Sequence, residues 1–271
     1  MPTQTDKAER FLALHHGDRP LLMPNPWDRG SAALLASLGF EALATTSSGF
    51  AATLGRLDGA VSRDEAISHA QWLAAGTDLP VSSDLENCFA DDPAGVAETV
   101  RLAVGAGLAG CSVEDYAKRD KDPIYDQALA AERVAAAADA AHSGPVRLVL
   151  TARAENYLRG KPYLADTIAR LQSYSEAGAD VLFAPGVTKP EEIRELVASV
   201  DRPVNVLALP GTPLVAELAA MGVKRISVGG AFAHCALDAL AHAARELREH
   251  GSYSYWDTAR SGAAAARAAF G

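Results

Sequence analysis

The chain has 271 residues, with 34 acidic and 25 basic side chains and a formal net charge of −9 at pH 7. Its 49% hydrophobic content excludes an intrinsically disordered protein, and the lack of clustered Lys and Arg argues against nucleic acid as a partner. No apolar run reaches about 18 residues and the polar N-terminus lacks a signal-peptide pattern, so we expect no membrane association and a cytoplasmic location.

Short apolar runs alternate with longer helical segments along the whole chain. After an amphipathic N-terminal helix, the runs occupy residues 21–25, 42–46, 80–84, 111–115, 147–153, 181–186, 204–209 and 225–230. Short buried strands separated by helices predict a parallel sheet that is covered on both faces. Eight such units favour a single (β/α)8 TIM-type barrel domain over residues 1–271, with a doubly wound open sheet as the alternative.

Glycines mark the points where predicted helices end just before a strand. The order helix, glycine, strand recurs at Gly39, Gly107, Gly178 and Gly222. Glycine tolerates the left-handed backbone conformation that terminates helices, so this repeat supports the positions of the strands. The Ala-rich tail, GAAAARAAF, predicts a terminal helix.

Polar side chains follow most of the predicted strands, at positions that form the active-site face of a (β/α)8 barrel. In chain order they are Asn25, Asp28, Ser47, Ser48, Gly49, Asp58, Asp84, Glu86, Glu114, Asp115, Arg153, Glu155, Asn205, Gly229 and Gly230. Loops are polar in most proteins, so each position alone says little. The acids that follow strands 3 and 4, however, are expected to converge on one face of the barrel.

This acidic group predicts a divalent metal site. Asp84 and Glu86 lie two residues apart, so on an extended segment both side chains point the same way, and Glu114 follows the next strand. Arg153 alone cannot balance three carboxylates, whereas a hard cation with oxygen ligands can. Mg²⁺ is the expected ion, with Mn²⁺ as an alternative. No histidine pair stands at a strand end, which argues against zinc.

Two other features are interpreted as structural. Residues 105–110, GAGLAG, match the dinucleotide-binding fingerprint, but they follow a helix and precede a strand, which is the reverse of the order that the fingerprint requires. Cys88 adjoins the acidic pair, yet no histidine lies nearby in sequence to activate it, so we interpret it as a packed thiol.

Five segments of the chain carry a recognisable pattern; in chain order they are MPNPWDRGSAALLASLGFEALATTSSGFAATLGRLDG, PVSSDLEN, GCSVED, LTARAEN and GADVLFAPG. Together they resemble the isocitrate lyase/phosphoenolpyruvate mutase superfamily over about residues 10–240. The resemblance implies a modified (β/α)8 barrel that binds Mg²⁺ and acts on small 2-oxo acids or dicarboxylates, breaking or forming a C–C or P–C bond. It also implies a homodimer or homotetramer in which the C-terminal helical segment, about residues 232–271, is exchanged with a neighbour.

The resemblance further implies metal and catalytic roles. Asp84, Glu86 and Glu114 match the acids that hold Mg²⁺, directly or through water. Asp58 matches an acid that joins this network after strand 2, and it is our candidate for proton transfer. Glu114 and Arg153 are the other catalytic candidates, because a bound metal and a guanidinium stabilise the charge on an enolate oxygen.

Substrate contacts are implied in the same way. Ser47, Ser48 and Gly49 match a segment whose hydroxyl and backbone N–H groups hold a substrate carboxylate. Arg153 matches an arginine that grips the same substrate, and Asn205 matches a polar contact on strand 7.

Departures from the superfamily bear on the reaction. Residues 116–126, YAKRDKDPIYD, occupy the lid region but lack the Cys and His of the lyases and the Asn of the mutases, and Ala184 to Gly186 replace the Glu that follows strand 6 in lyases. We therefore expect a divergent enzyme that cleaves a C–C bond as a lyase, decarboxylase or acylhydrolase. The alternatives are a phosphonate enzyme, either a phosphonomutase or a phosphonopyruvate hydrolase, and a keto-acid-binding barrel without turnover.

Overall fold

A computed structural model of the protein describes residues 2–118, 121 and 123–271. Within them, eight parallel strands form one sheet in the order β1-β8-β7-β6-β5-β4-β3-β2. The strands are β1 (Leu21–Met23), β2 (Leu43–Ala44), β3 (Val81–Ser83), β4 (Gly110–Glu114), β5 (Val149–Arg153), β6 (Val181–Phe183), β7 (Val204–Leu207) and β8 (Arg225–Ser227). The pairing of β1 with β8 confirms the (β/α)8 barrel and excludes the open sheet.

The seam between β1 and β2 is closed by single hydrogen bonds instead of a ladder. The Ala44 amide donates to the Pro24 carbonyl at 3.1 Å. The Asn25 side chain bridges the residues that follow β2 and β8. Its Nδ2 donates to the Thr45 carbonyl at 2.9 Å, and its Oδ1 accepts from the Gly229 amide at 2.9 Å. Asn25, a predicted strand-end residue, therefore holds the barrel closed.

Helices cover the outside of the sheet. They are α1 (Gln4–Leu14), α2 (Arg29–Ser37), α3 (Ser47–Thr53), α4 (Arg63–Ala74), α5 (Pro93–Gly105), α6 (Gln127–His142), α7 (Leu164–Glu176), α8 (Pro190–Ala198), α9 (Val215–Ala220), α10 (Ala231–His250) and α11 (Trp256–Phe270). The four glycines predicted to end helices all have positive φ, between 79° and 102°. No described helix is long and apolar enough to cross a membrane.

Helix α1 closes the bottom of the barrel, at the amino-terminal ends of the strands. Phe11 is completely buried beside Gly110, where an added Cβ would lie 2.7 Å from both the Phe11 ring and the Val149 carbonyl oxygen. Gln4 Nε2 donates to the carbonyls of Val104 and Leu108, which anchors the start of the helix. The GAGLAG segment is thus the end of a helix and the start of a strand, as predicted, and the structure adds that it packs against α1.

Helix α10 departs from the usual barrel arrangement. Ala233 is its single buried residue, whereas Leu237, Leu240 and Leu247 are exposed. The following helix, α11, has no buried residue, although it packs against α2. The C-terminal segment thus consists of two helices, and in one chain it leaves an apolar face uncovered.

Candidate active site

A cavity of about 210 Å³ enters the barrel from the carboxyl ends of the strands. It extends from the mouth down to side chains in the middle of the barrel. Its polar and charged lining residues are Asn25, Thr45, Thr46, Ser47, Ser48, Asp58, Ser82, Ser83, Asp84, Ser112, Thr151, Arg153, Asn205, Arg225 and Ser227. A second pocket adjoins it at the mouth and shares Ser47, Asp58 and Arg153 with it.

Arg153, the last residue of β5, is the centre of the mouth. Its Nη1 donates to Asp84 Oδ1 at 3.0 Å, its Nη2 lies 3.1 Å from Glu114 Oε2, and its Nε and Nη2 contact Glu155 Oε1 at 3.1 and 2.7 Å. These carboxylates raise the pKa of the Arg153 guanidinium against the opposing effect of burial. The guanidinium is therefore a permanently charged group in a fixed orientation beside the cavity.

A buried network holds Glu155, and through it Arg153. The Glu155 amide donates to Asp115 Oδ1 at 2.8 Å. The other oxygen of Asp115 accepts from Tyr174 Oη at 2.6 Å and from Arg170 Nη1 at 3.2 Å. Burial raises the pKa of Asp115 although these hydrogen bonds oppose it. Asp115 and Glu155 were predicted as strand-end residues, whereas Tyr174 and Arg170 were not predicted, because they lie on α7, distant in sequence.

Asp84 lies between Arg153 and the start of α3. Its Oδ2 accepts from the Ser47 amide at 3.3 Å and from Ser47 Oγ at 3.0 Å, and its own amide donates to Thr45 Oγ1 at 2.9 Å. Ser47 was predicted to hold a substrate carboxylate. In this structure its donors hold the Asp84 carboxylate, so Ser47 first of all orients the acid.

Glu86 does not lie on an extended strand. The prediction that an extended backbone makes Asp84 and Glu86 point the same way is therefore wrong. Strand β3 ends at Ser83, and Glu86 has a φ of 52°. Its carboxylate forms an ion pair with Lys118. Burial raises the pKa of Glu86, Lys118 opposes this shift, and the charges of Asp84 and Asp58 add to it. Glu86 still reaches the mouth, where it lines the second pocket with Glu114.

Arg133 of α6 secures the loop that carries Glu86. Its side chain is buried, and it donates to the carbonyls of Asn87, Ala90 and Glu114 at 2.6, 2.9 and 3.2 Å. The Glu114 amide in turn donates to the Glu86 carbonyl at 3.0 Å. Burial raises the pKa of the Glu114 carboxyl strongly; Arg153 opposes that shift, and Glu155 and Asp84 add to it.

The remaining predicted residues have different surroundings. Asp58 lies on an exposed loop that lines both mouth pockets. Ser48 lines the cavity and shares a 3.1 Å hydrogen bond with Thr46. Gly49 does not line it: its amide donates to Thr46 Oγ1, and a Cβ there would lie 2.5 Å from Thr46 Cγ2. The structure thus gives Gly49 a packing role. Asn205 lines the cavity but is almost completely buried.

The mouth has more cations than Arg153, and these were not counted against the acids in the prediction from sequence. Lys118 pairs with Glu86, and Arg159 Nη2 lies 3.3 Å from Glu155 while its guanidinium stacks on the Tyr116 ring. Among the described residues, five carboxylates (Asp58, Asp84, Glu86, Glu114, Glu155) face these three cations. An excess of two formal negative charges remains.

This donor set fits a hydrated divalent cation. It consists of oxygen atoms, which Mg²⁺ prefers, and its charge excess equals that of one such ion. Over the described part of the chain, no three His, Cys, Asp or Glu side chains are grouped so that they could hold an ion by themselves. An ion bound here would have to keep several waters and bind only one or two carboxylates, as Mg²⁺ does in proteins.

Two other predictions concern residues around the mouth. Cys88 is buried, its Sγ donates to the Ser112 carbonyl at 3.7 Å, and burial raises its thiol pKa, so the interpretation as a packed thiol is confirmed. The lid segment 116–126 contains an antiparallel bridge between Tyr116 and Ile124. Three members of this predicted lid, Arg119, Asp120 and Asp122, lie outside the described residues.

Comparison with known proteins places these features in a family. The family model described as phosphoenolpyruvate phosphomutase matches residues 11–248. A Burkholderia cenocepacia J2315 protein, assigned provisionally as a lyase/mutase, is 52% identical in sequence; the match has a TM-score of 0.91 and covers 93% of this chain and 91% of that one. The crystal structure of 2,3-dimethylmalate lyase, a member of the PEP mutase/isocitrate lyase superfamily, is 27% identical with a TM-score of 0.83, covering 94% and 90%.

A plant relative is similar at the level of sequence. The chloroplastic carboxyvinyl-carboxyphosphonate phosphorylmutase of Arabidopsis thaliana is 30% identical over 258 residues, which are 90% of this chain and 75% of that protein. Both lyases and mutases are therefore among the proteins that this chain resembles.

Proposed function

Because the chain belongs to the phosphoenolpyruvate mutase family, we propose that it is a Mg²⁺-dependent enzyme that cleaves a C–C bond in a small 2-oxo acid or dicarboxylate. The observation that carries this proposal is the mouth of the barrel, where five carboxylates leave two negative charges unbalanced beside a rigid guanidinium. Such a site suits one divalent ion and one anionic substrate.

Asp84, Glu86 and Glu114 would hold the ion, directly or through water. When bound, Mg²⁺ would act as a Lewis acid that polarises a carbonyl oxygen and stabilises negative charge on it. Ser47 fixes the orientation of the Asp84 carboxylate through its two hydrogen bonds. Because Asp84 also contacts Arg153, the same acid positions the cation that receives the substrate.

The protein's own residues perform the remaining tasks. Arg153 binds the substrate carboxylate, and the Ser48 hydroxyl supplies a further donor at the mouth. In oxaloacetate, for example, the bond between C3 and C4 breaks, the C4 carboxylate leaves as CO2, and the electron pair of that bond forms the enolate of pyruvate on C3 and the keto oxygen. That carbon then takes a proton, for which Asp58, or a water that it orients, is the donor within reach of the cavity. Arg153 stabilises the negative charge while the enolate exists.

The lid sequence favours C–C cleavage over phosphonate chemistry. Residues 116–126 contain no Asn, the residue that the resemblance associates with the mutases. They also lack the Cys and His of the lyases that cleave isocitrate-like substrates. We therefore propose a smaller substrate for which Asp58 serves in proton transfer.

A substrate panel tests this proposal. Oxaloacetate, 2-alkylmalates and phosphonopyruvate are incubated separately with the protein and Mg²⁺, and the products are identified by NMR. We expect a 2-oxo acid or carboxylate product of C–C cleavage from at least one carbon substrate. Phosphate released from phosphonopyruvate, or its rearrangement, would replace the proposal with a phosphonate activity. Ligand-induced thermal stabilisation without any product would replace it with a keto-acid-binding protein.

We also propose that the protein forms a homodimer or homotetramer by exchanging α10. The apolar side chains Leu237, Leu240 and Leu247 recur at intervals of three and seven residues on one stripe of this helix, and all are exposed. A surface groove between α1, the end of α2 and α9 includes the apolar residues Leu38 and Val215, which are exposed as well. The partner's α10 would cover such apolar surface.

A further inference from the structure

The floor of the active-site cavity carries a charge of the opposite sign to its mouth. Arg225, the first residue of β8, lines the cavity and is 3% exposed. Its Nε donates to Asn205 Oδ1 at 3.0 Å, and its Nη1 contacts His15 Nε2 at 3.2 Å and Thr151 Oγ1 at 3.1 Å. All three partners are neutral acceptors. The amide of Asn205 and the hydroxyl of Thr151 carry no charge, and burial and the charge of Arg225 lower the pKa of His15 to about 3, so that it is neutral at pH 7.

Arg225 has no counter-ion in the part of the chain that the structure describes. No Asp or Glu among those residues forms a salt bridge with it, and Nη2 makes no hydrogen bond to them. Burial and the charge of Arg153 lower the pKa of Arg225 to about 9, so the guanidinium is charged at neutral pH. A buried charge is costly unless it is paired, and this one faces a cavity.

A second group on the floor also lacks a partner. Ser112 Oγ, in the middle of β4, is buried, lines the same cavity and has no hydrogen-bond partner among the described residues. Asn205 Nδ2 donates to Ser227 Oγ at 3.0 Å, which leaves the Ser227 hydroxyl proton available. The floor therefore offers a guanidinium nitrogen and hydroxyl groups, and within the described part of the chain no carboxylate contacts Arg225 there.

We infer that the cavity floor, formed by Arg225 and Ser112, is a second anion subsite that binds the distal carboxylate of a dicarboxylate substrate. The inference rests on the proposed function, because it places the reacting end of that substrate at Arg153. A guanidinium pairs with a carboxylate by charge-assisted hydrogen bonds, and a hydroxyl can donate to the same group. The cavity thus selects a molecule with two anionic ends over one with a single anionic end.

Binding of a matched pair of ligands tests the subsite without any need for turnover. Succinate and its half-amide, succinamate, have nearly the same shape but differ by one negative charge. By calorimetry in the presence of Mg²⁺, we expect the protein to bind succinate about ten- to a hundredfold more tightly, the effect of a hydrogen bond to a charged group. This preference should disappear in Arg225→Gln and persist in part in Arg225→Lys.

Ser112→Ala keeps the test decisive if Arg225→Gln does not fold. Removal of an unpartnered buried hydroxyl should leave the melting temperature unchanged or raise it, while succinate affinity falls severalfold. Equal affinity of the native protein for succinate and succinamate would overturn the subsite, as would a preference that survives both Arg225→Gln and Ser112→Ala. A succinate preference in a protein that cleaves neither a 2-oxo acid nor a dicarboxylate would refute the proposed function and leave the subsite standing.

Discussion

Arg153 Nη1 and Asp84 Oδ1 lie 3.0 Å apart, although 69 positions separate the two residues in the chain. The contact joins the end of β5 to the loop after β3, across the mouth of the barrel. It links the arginine that would receive the substrate to the acid that would hold the metal. A substitution at either position should therefore affect both functions.

Arg153→Lys should lower kcat/KM by about 10² to 10³. A lysine keeps the charge but cannot contact Asp84, Glu114 and Glu155 with a planar fork of donors. Steady-state kinetics on the substrate found by the panel measures the effect. Arg101→Lys, on an exposed surface ion pair with Glu98, is the matched control and should retain full activity. Equal activity of the two variants would refute the role of Arg153.

Gly110→Ala should destabilise the protein by about 1 to 3 kcal/mol, because the new methyl group would overlap the Phe11 ring and the Val149 carbonyl oxygen. Gly105→Ala, in the same GAGLAG segment, meets nothing within 4 Å at the end of α5. It should be neutral or stabilise by up to about 1 kcal/mol. Urea unfolding of the two variants compares them directly. A Gly110→Ala protein as stable as Gly105→Ala would show that α1 does not pack there.

His15 should make the protein sensitive to acid. Its folded-state pKa of about 3 is lower than its ordinary value of 6.5, because it is buried beside Arg225. Its contribution to stability is therefore complete above pH 6.5 and is lost as the pH falls toward 3. His15→Gln keeps an acceptor for Arg225 but does not titrate. As the pH falls from 6.5 toward 3, the unfolding free energy of His15→Gln should fall less steeply than that of the native protein. The two slopes should differ by up to about 1.4 kcal/mol per pH unit. Parallel pH profiles of the two proteins would contradict this.

Leu240→Arg should reduce the assembly to monomers or weaken it strongly, because it places a charge on the exposed apolar stripe of α10. His242→Arg lies two residues away on the other side of the helix, where its side chain is 71% exposed, and should leave the assembly intact. Light scattering coupled to size-exclusion chromatography gives the mass of each. A monomeric native protein, or equal masses for both variants, would rule out the exchange.

The fold could be predicted from the sequence because its signals are local. Eight apolar runs, and the glycines that end the preceding helices, are visible without knowledge of any tertiary contact. The strand-end acids could be found for the same reason, since barrel topology brings all carboxyl ends to one face. The positions of the strands in the sequence were enough to predict that Asp84 and Glu114 lie at the mouth.

The residues that were missed depend on contacts between distant segments. Arg225 begins a strand, where a polar residue is ordinarily a surface flank; it is buried because α1 closes the barrel below it and supplies His15. Lys118 and Glu86 form an ion pair, and both have left-handed backbone conformations, which nothing in their sequence indicates. The extended backbone predicted for Glu86 was wrong for the same reason, although its side chain does reach the mouth.

The central claim is that the carboxylates at the barrel mouth hold a divalent ion needed for C–C cleavage. Its most direct test is Mg²⁺ binding by calorimetry to EDTA-treated protein, followed by product formation as Mg²⁺ is restored. We expect one ion per chain, activity that rises with its occupancy, and at least about tenfold weaker binding in Asp84→Asn. Full activity in EDTA, or Mg²⁺ binding that Asp84→Asn leaves unchanged, would contradict the claim.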